Sequence, residues 1–111
     1  MNFINNDLKN NLNFALSNIE KNNLEKASKI YKKILKKYPD NFEANFNLGT
    51  IYAKNNNLEK SVELLEKAAL INPKVEKIYT SLGLIYLNLG DKEKALDDKI
   101  GYIQNSAGAI P

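Results

Sequence analysis

The stretch Phe46–Pro73, "FNLGTIYAKNNNLEKSVELLEKAALINP", decides the fold, because its landmarks recur at an offset of 34 residues, the distance from Gly49 to Gly83. At the same offset Leu48 is matched by Leu82, Ile51 by Ile85, Tyr52 by Tyr86, Leu58 by Leu24 and Pro73 by Pro39. Three columns run through three copies: Glu25, Glu59 and Glu93; Lys26, Lys60 and Lys94; Ala27, Ser61 and Ala95. So many coincidences at one offset mean an internal repeat rather than the stutter of an asparagine-rich chain.

Each copy reads as two amphipathic helices joined by a short turn. Phe42, Phe46, Leu48, Ile51 and Tyr52 fall mostly three and four apart, and Leu58, Val62, Leu65 and Ala69 resume the pattern after "NNN". Pro39 and Pro73 stop it, and Asp40 or Asn72 beside them can cap a terminus. "NNLEKA" at Asn22–Ala27 and "NNLEKS" at Asn56–Ser61 mark the turn inside the pair. Asn22 and Asn56 stand where one helix ends, Asn23 and Asn57 where the next begins. Those positions favour a left-handed backbone or an N-cap, and the third copy supplies Gly90 and Asp91 there.

One column is small in both helices: Ala15 with Ala27, Gly49 with Ser61, Gly83 with Ala95. A mid-helix glycine costs about 1 kcal/mol against alanine, so the pairing predicts close approach of two backbones. Phe14, Leu48, Leu82, Tyr31 and Leu65 are expected to fill the space around it.

The 34-residue period with Leu48, Gly49, Tyr52, Ser61, Leu65, Ala68 and Pro73 resembles the tetratricopeptide repeat (TPR) over about residues 8–97. The resemblance implies an all-α fold, a right-handed superhelical stack of antiparallel helix pairs of about six helices, whose first helices line a concave groove. One hairpin cannot bury its apolar face alone, and about three repeats suffice. The expected layout is a lead-in over 1–7, repeats over 8–41 and 42–75, a degenerate third over 76–104 and a tail over 105–111, all in one domain. Asn11 and Asn18 stand in columns where later copies carry Asn45 or Tyr79, and Tyr52 or Tyr86, columns expected to pack on a preceding helix; polar residues there suggest a wetted cap starting at Asp7 or Leu8, with Phe3 and Ile4 able to fold back over it. In the third copy Lys99 stands where Tyr31 and Leu65 stood and Tyr102 replaces Ala68, while Leu96, Ile100 and Ile103 keep a helical stripe. The shielding last helix of the family is absent, which leaves apolar surface open to a longer array, to self-association or to a docking tail.

Composition excludes several classes. At 111 residues, with 43% hydrophobic and 26% charged residues, the chain suits one folded domain. It has no Cys and no His, so disulfides, thiol chemistry, His triads and imidazole metal sites are all ruled out. All 16 basic residues are lysines, and the "YKKILKK" cluster reads as the solvated last turn of a helix rather than a nucleic-acid reader. The N-terminus lacks a signal-peptide pattern and no apolar run reaches a membrane span. A cytoplasmic protein with no membrane or specific nucleic-acid partner is therefore expected. Glu63 can pair with Lys67 on a helix surface, Asp97 and Asp98 point apart, and the glycines form no phosphate loop. A non-enzyme without cofactor or metal is expected.

The resemblance places the groove on Lys9, Leu12, Asn13 and Leu16 of the first copy, Phe46, Asn47, Thr50 and Lys54 of the second, and Lys77, Ser81 and Leu84 of the third. Ile19, Glu20, Glu43, Thr80 and Asn88 border it. Some TPR proteins clamp a C-terminal carboxylate with two Lys, two Asn and an Arg. Asn47 and Lys77 match that pattern, but Leu12, Leu16 and Ser81 do not, so an extended or helical peptide with apolar anchors fits better. Alternatively, Phe3 and Ile4 cover Leu12 and Leu16. The functional expectation is an adaptor or assembly scaffold that binds a protein or peptide in the groove. Two alternatives stand beside it: homo-oligomerisation through the third repeat, and the N-terminal targeting array of a larger enzyme such as a glycosyltransferase.

Overall fold

The computed structural model describes residues 3–91 and Lys94, with side chains from Asp7 onward. Five helices follow one another: α1 (Phe3–Glu20), α2 (Leu24–Lys37), α3 (Phe42–Lys54), α4 (Leu58–Ile71) and α5 (Glu76–Asn88). Three-residue turns close the pairs α1–α2 and α3–α4, and four-residue turns containing Pro39 and Pro73 separate one pair from the next. Of the sixth expected helix only Lys94 is described; Lys99, Tyr102, the pairing of Gly83 with Ala95, and the tail fall outside the described residues.

The turns inside the pairs share one hydrogen-bond scheme. Asn22, Asn56 and Gly90 have φ of 59°, 63° and 85°, the left-handed region. The amide of the residue after each reaches back five positions: Asn23 to Asn18 O at 2.7 Å, Asn57 to Tyr52 O at 2.8 Å, Asp91 to Tyr86 O at 2.8 Å. The left-handed residue itself bonds three positions back, to Ile19, Ala53 and Leu87 respectively. This is the Schellman ending, which uses up the orphan carbonyls of a helix terminus. Asn23 and Asn57 then start the next helix through their backbone carbonyls, which accept from Ala27 and Ser61, and their side chains make no cap bond. Only Asp91 caps with its side chain, accepting from Lys94 N at 2.9 Å.

Between pairs, Asn72 is the C-cap of α4, its backbone N–H donating to Ala68 O at 2.9 Å, whereas the expected cap Asp40 does not serve. Asn41 does, its Oδ1 accepting from Ala44 N at 2.8 Å, while α5 begins at Val75 with no side-chain cap. Asp40 instead meets Lys67 at 3.4 Å, so Lys67 is drawn to the inter-pair turn and the expected partner Glu63 forms no such pair.

Helices pack substantially only on their sequence neighbours, α1 on α2, α2 on α3, α3 on α4 and α4 on α5. The array is therefore quasi-one-dimensional. Its radius of gyration of 15.0 Å exceeds the roughly 13 Å of a compact 100-residue domain, and its extents are 45 × 32 × 22 Å. One core cluster joins Ala15, Ala27, Tyr31, Ile34, Ala44, Leu48 and Ile51 across α1–α3. A second joins Leu65, Ala68, Ile78, Leu82, Ile85 and Tyr86 across α4 and α5.

The small-residue column lies where two backbones meet. Ala15, Ala27 and Ser61 are fully buried, and Ser61 Oγ donates to Gly49 O at 2.7 Å across the second hairpin. A Cβ on Gly49 would stand 3.0 Å from Leu65 and 3.2 Å from Leu64 Cβ. Leu48, Leu82, Tyr31 and Leu65 are buried as expected, but Phe14 is not: it is 50% exposed. Leu48 occupies the same column and is covered by the hairpin before it, whereas no described hairpin precedes α1. Lys26 covers part of the Phe14 ring instead, its ammonium 5.1 Å from the centroid.

The first copy differs from its expected wetted cap in two ways. Helix α1 runs on through residues 3–6, ahead of the Asp7–Leu8 start, so that segment extends the helix rather than folding back. Asn18 is buried, 5% exposed, because its amide donates to Phe14 O at 2.8 Å and so satisfies itself within the helix. Asn11 bonds to Asp7 Oδ1 at 3.4 Å.

Candidate functional site

The expected groove residues lie on α1, α3 and α5, the first helices of the pairs. Lys9, Leu12, Asn13 and Leu16 repeat at three- and four-residue spacing and therefore share one face of α1. Lys9 and Asn13 are exposed, Leu12 is half-buried against the first core cluster, and Leu16 is 43% exposed. On α5, Lys77 and Leu84 are exposed, Leu84 by 59%, and Ser81 is half-buried.

The α3 members are more deeply engaged. Phe46 stacks on Phe42 with ring centroids 5.8 Å apart and planes 5° from parallel, and both rings pack against the second core cluster. Asn47 Nδ2 donates to Tyr31 Oη at 2.9 Å, a bond that ties α3 to α2. Thr50 Oγ1 donates to Phe46 O at 2.9 Å, within its own helix, and Lys54 is exposed. The packing of Phe46 and one of the two Asn47 amide donors are thus spent inside the fold. Tyr31 is fully buried, and burial pushes its hydroxyl above the ordinary value of 10.0; the Asn47 bond pulls it down and the Glu43 carboxylate adds a further push up.

Sequence reasoning missed a concavity of about 390 Å³ between α2, α3 and α4. Leu35, Leu48 and Leu64 give it an apolar lining with Pro39 and Tyr52, while Asn45, Lys60, Glu63 and Lys67 supply its polar groups. Residues 45, 48 and 52 lie on the side of α3 opposite residues 46, 47, 50 and 54, at 100° per residue. The one sequence signal was the column Asn11, Asn45, Tyr79, in which asparagine in the first two copies gives way to tyrosine in the third. Among the described residues no acid cluster could hold a metal ion, and no helix is long and apolar enough to cross a membrane.

Helix pairs stacked in one dimension, each packed on its neighbours, define an α-solenoid, the architecture of helical repeat scaffolds. A tetratricopeptide repeat profile matches residues 18–85 and a second matches residues 76–98. The chain belongs to the tetratricopeptide repeat family, and its stack is the right-handed TPR superhelix. No curated protein sequence matches it significantly. Among solved structures it is similar to the crystal structure of MamA, with a TM-score of 0.83 and 19% identity over 90% of this chain and 58% of that one. It is also similar to MamA AMB-1, with a TM-score of 0.80 and 19% identity over 93% of this chain and 56% of that one. The MamA 41-end structure from Desulfovibrio magneticus RS-1 gives 0.78 and 19% over 91% and 57%. At that identity the likeness is one of fold, and the chain spans little more than half the length of those structures. Family and fold together support a protein-interaction or scaffold module of the non-catalytic repeat type.

Proposed function

We propose that this module holds a peptide segment of a protein partner in the concave face formed by α1, α3 and α5. The observation that carries the reading is the pair of large apolar side chains left open on that face, Leu16 and Leu84, beside polar Asn13, Lys9 and Lys77. Exposed leucines flanked by amides and lysines suit a peptide that presents apolar anchors and backbone groups together. Asn47 and Phe46 act on the groove chiefly by shaping it, given their bonds and packing inside the fold. A cytoplasmic setting, free of cofactor, belongs to the same proposal.

The test uses substitutions that leave the core alone. Leu16→Asp and Leu84→Asp should abolish recovery of a partner captured by the wild-type chain while thermal unfolding stays unchanged. Undiminished capture by both variants would remove the groove from consideration.

A second reading is favoured by Leu84, Leu87 and Leu89, all exposed at the described end of the array. Self-association through the third repeat would cover them, and sedimentation at rising concentration would then show a mass increase that Leu87→Asp removes. The alternative of a targeting array within a larger enzyme is compatible with either surface.

A further inference from the structure

The second and third copies make the same bond with different side chains. Tyr79 Oη donates to Pro73 O at 3.0 Å, and in the equivalent column Asn45 Nδ2 donates to Pro39 O at 3.0 Å. The phenol ring of the third copy has no counterpart in the second. There Asn45 and Pro39 instead border the 390 Å³ concavity, a volume within the roughly 300–1,000 Å³ of small-ligand sites.

Asn45 carries a further signal. It is 1% exposed, and its amide nitrogen donates to both Pro39 O and Asn41 O, at 3.0 and 2.8 Å. Two carbonyl acceptors fix the orientation of the amide, since only its NH₂ end can serve them. Its Oδ1 then accepts from no protein donor among the described residues. A buried acceptor in that state calls for a donor from elsewhere.

The charges of the lining point the same way. Lys60 and Lys67 stand against one acid, Glu63. Lys60 is held by the ring of Tyr52, its ammonium 5.6 Å from the centroid. Lys67 pairs with Asp40 at 3.4 Å, but the Asp40 side chain is 84% exposed, and such a surface pair is readily exchanged.

We propose that this concavity binds a phenolic ring bearing one carboxylate. The ring takes the space that Tyr79's ring takes in the next copy and lies against Leu35, Leu48 and Leu64. Its hydroxyl donates to Asn45 Oδ1, and its carboxylate meets Lys60 and Lys67. Glu63 disfavours a second negative charge. Such a ligand is either a small phenolic acid or a tyrosine at the C-terminus of another chain. The site lies on the far side of α3 from the groove and stands independently of the peptide-binding proposal.

Calorimetric titration of the full chain with 4-hydroxyphenylacetate, with acetyl-Gly-Gly-Tyr and with neutral 4-ethylphenol tests this. At least one carboxylate should bind saturably; the free acid identifies a small molecule, and the peptide alone identifies a chain terminus. Asn45→Tyr, which restores the ring of the third copy, should weaken binding at least tenfold while circular dichroism shows an intact helical fold. Should that variant not fold, the surface double variant Lys60→Gln/Lys67→Gln decides. It should weaken carboxylate binding at least tenfold and leave 4-ethylphenol binding unchanged. The proposal is overturned if neither carboxylate binds the wild-type chain, which would mean a water-filled concavity only, or if the folded variants bind as tightly as wild type.

Discussion

Asn56 shows how much one residue contributes to this fold. Its φ of 63° is a conformation that an ordinary L-residue enters at a cost of roughly 1–2 kcal/mol, and asparagine is one of the few that visit it routinely. Asn56→Ala should therefore lower stability by about 1 kcal/mol, whereas Asn56→Gly should be neutral or slightly stabilising, as read from urea midpoints. Gly49 needs its hydrogen for a different reason, steric rather than torsional. Gly49→Ala gains about 1 kcal/mol of helix propensity but forces a methyl to within 3.0 Å of Leu65. Leu65 is fully buried and cannot swing aside, so overpacking of about 1–3 kcal/mol wins and the variant should be less stable by about 1 kcal/mol. An unchanged unfolding midpoint would show that the hairpin can open without cost.

At the scale of the element, helix starts divide into those held by side chains and those held by backbone alone. Asn41 caps α3 with its Oδ1, so Asn41→Ala should cost about 1 kcal/mol. Asn57 begins α4 with no side-chain bond, so Asn57→Ala should cost less than half of that, and equal losses at the two sites would contradict the assignment. The contact of α2 with α3 is sensitive to pH through Tyr31. Its hydroxyl ionises at higher pH when folded than when unfolded, because burial penalises the phenolate. The resulting stability is fully present below pH 10 and is lost as pH rises through the raised folded value. Tyr31→Phe deletes both the Asn47 bond and this titration. It should be less stable than wild type by about 1 kcal/mol at pH 7, and the gap should close above pH 10 in denaturant titrations across that range.

Across the whole molecule, α3 links the two cores. Leu48 and Ile51 belong to the first cluster, while Phe42, Phe46 and Ala53 pack on the second. In a linear stack the elements flanked on both sides open last, because each interface they lose is a neighbour's as well. Amide hydrogen exchange should therefore be slowest in α3 and α4 and faster in α1, which has one substantial neighbour. Slowest exchange in α1 would contradict a stack held together by nearest-neighbour contacts. The same linearity explains why Phe14, at the outer side of α1, is half exposed while Leu48 in the same column is buried.

What the sequence determined by itself was the local and periodic part of the fold: the 34-residue register, the helix pairs, and the left-handed turns at Asn22, Asn56 and Gly90. Those features depend on spacing and on backbone preference, both of which a single chain carries in its order of residues. Which partner each polar side chain takes belonged to the tertiary structure. Asn18 finds its partner within its own helix and is buried, Asn41 caps α3 where Asp40 was expected to, and Lys67 meets Asp40 rather than Glu63. Asn47 bonds Tyr31 from an expected groove position, and Asn45 bonds Pro39 O where Tyr79 bonds Pro73 O one copy later. A repeat pattern says which columns are alike, but whether a shorter side chain leaves a hollow or is closed over depends on how far apart the packed helices stand. That distance is set by every side chain at the interface together, and it exists only once the stack has formed.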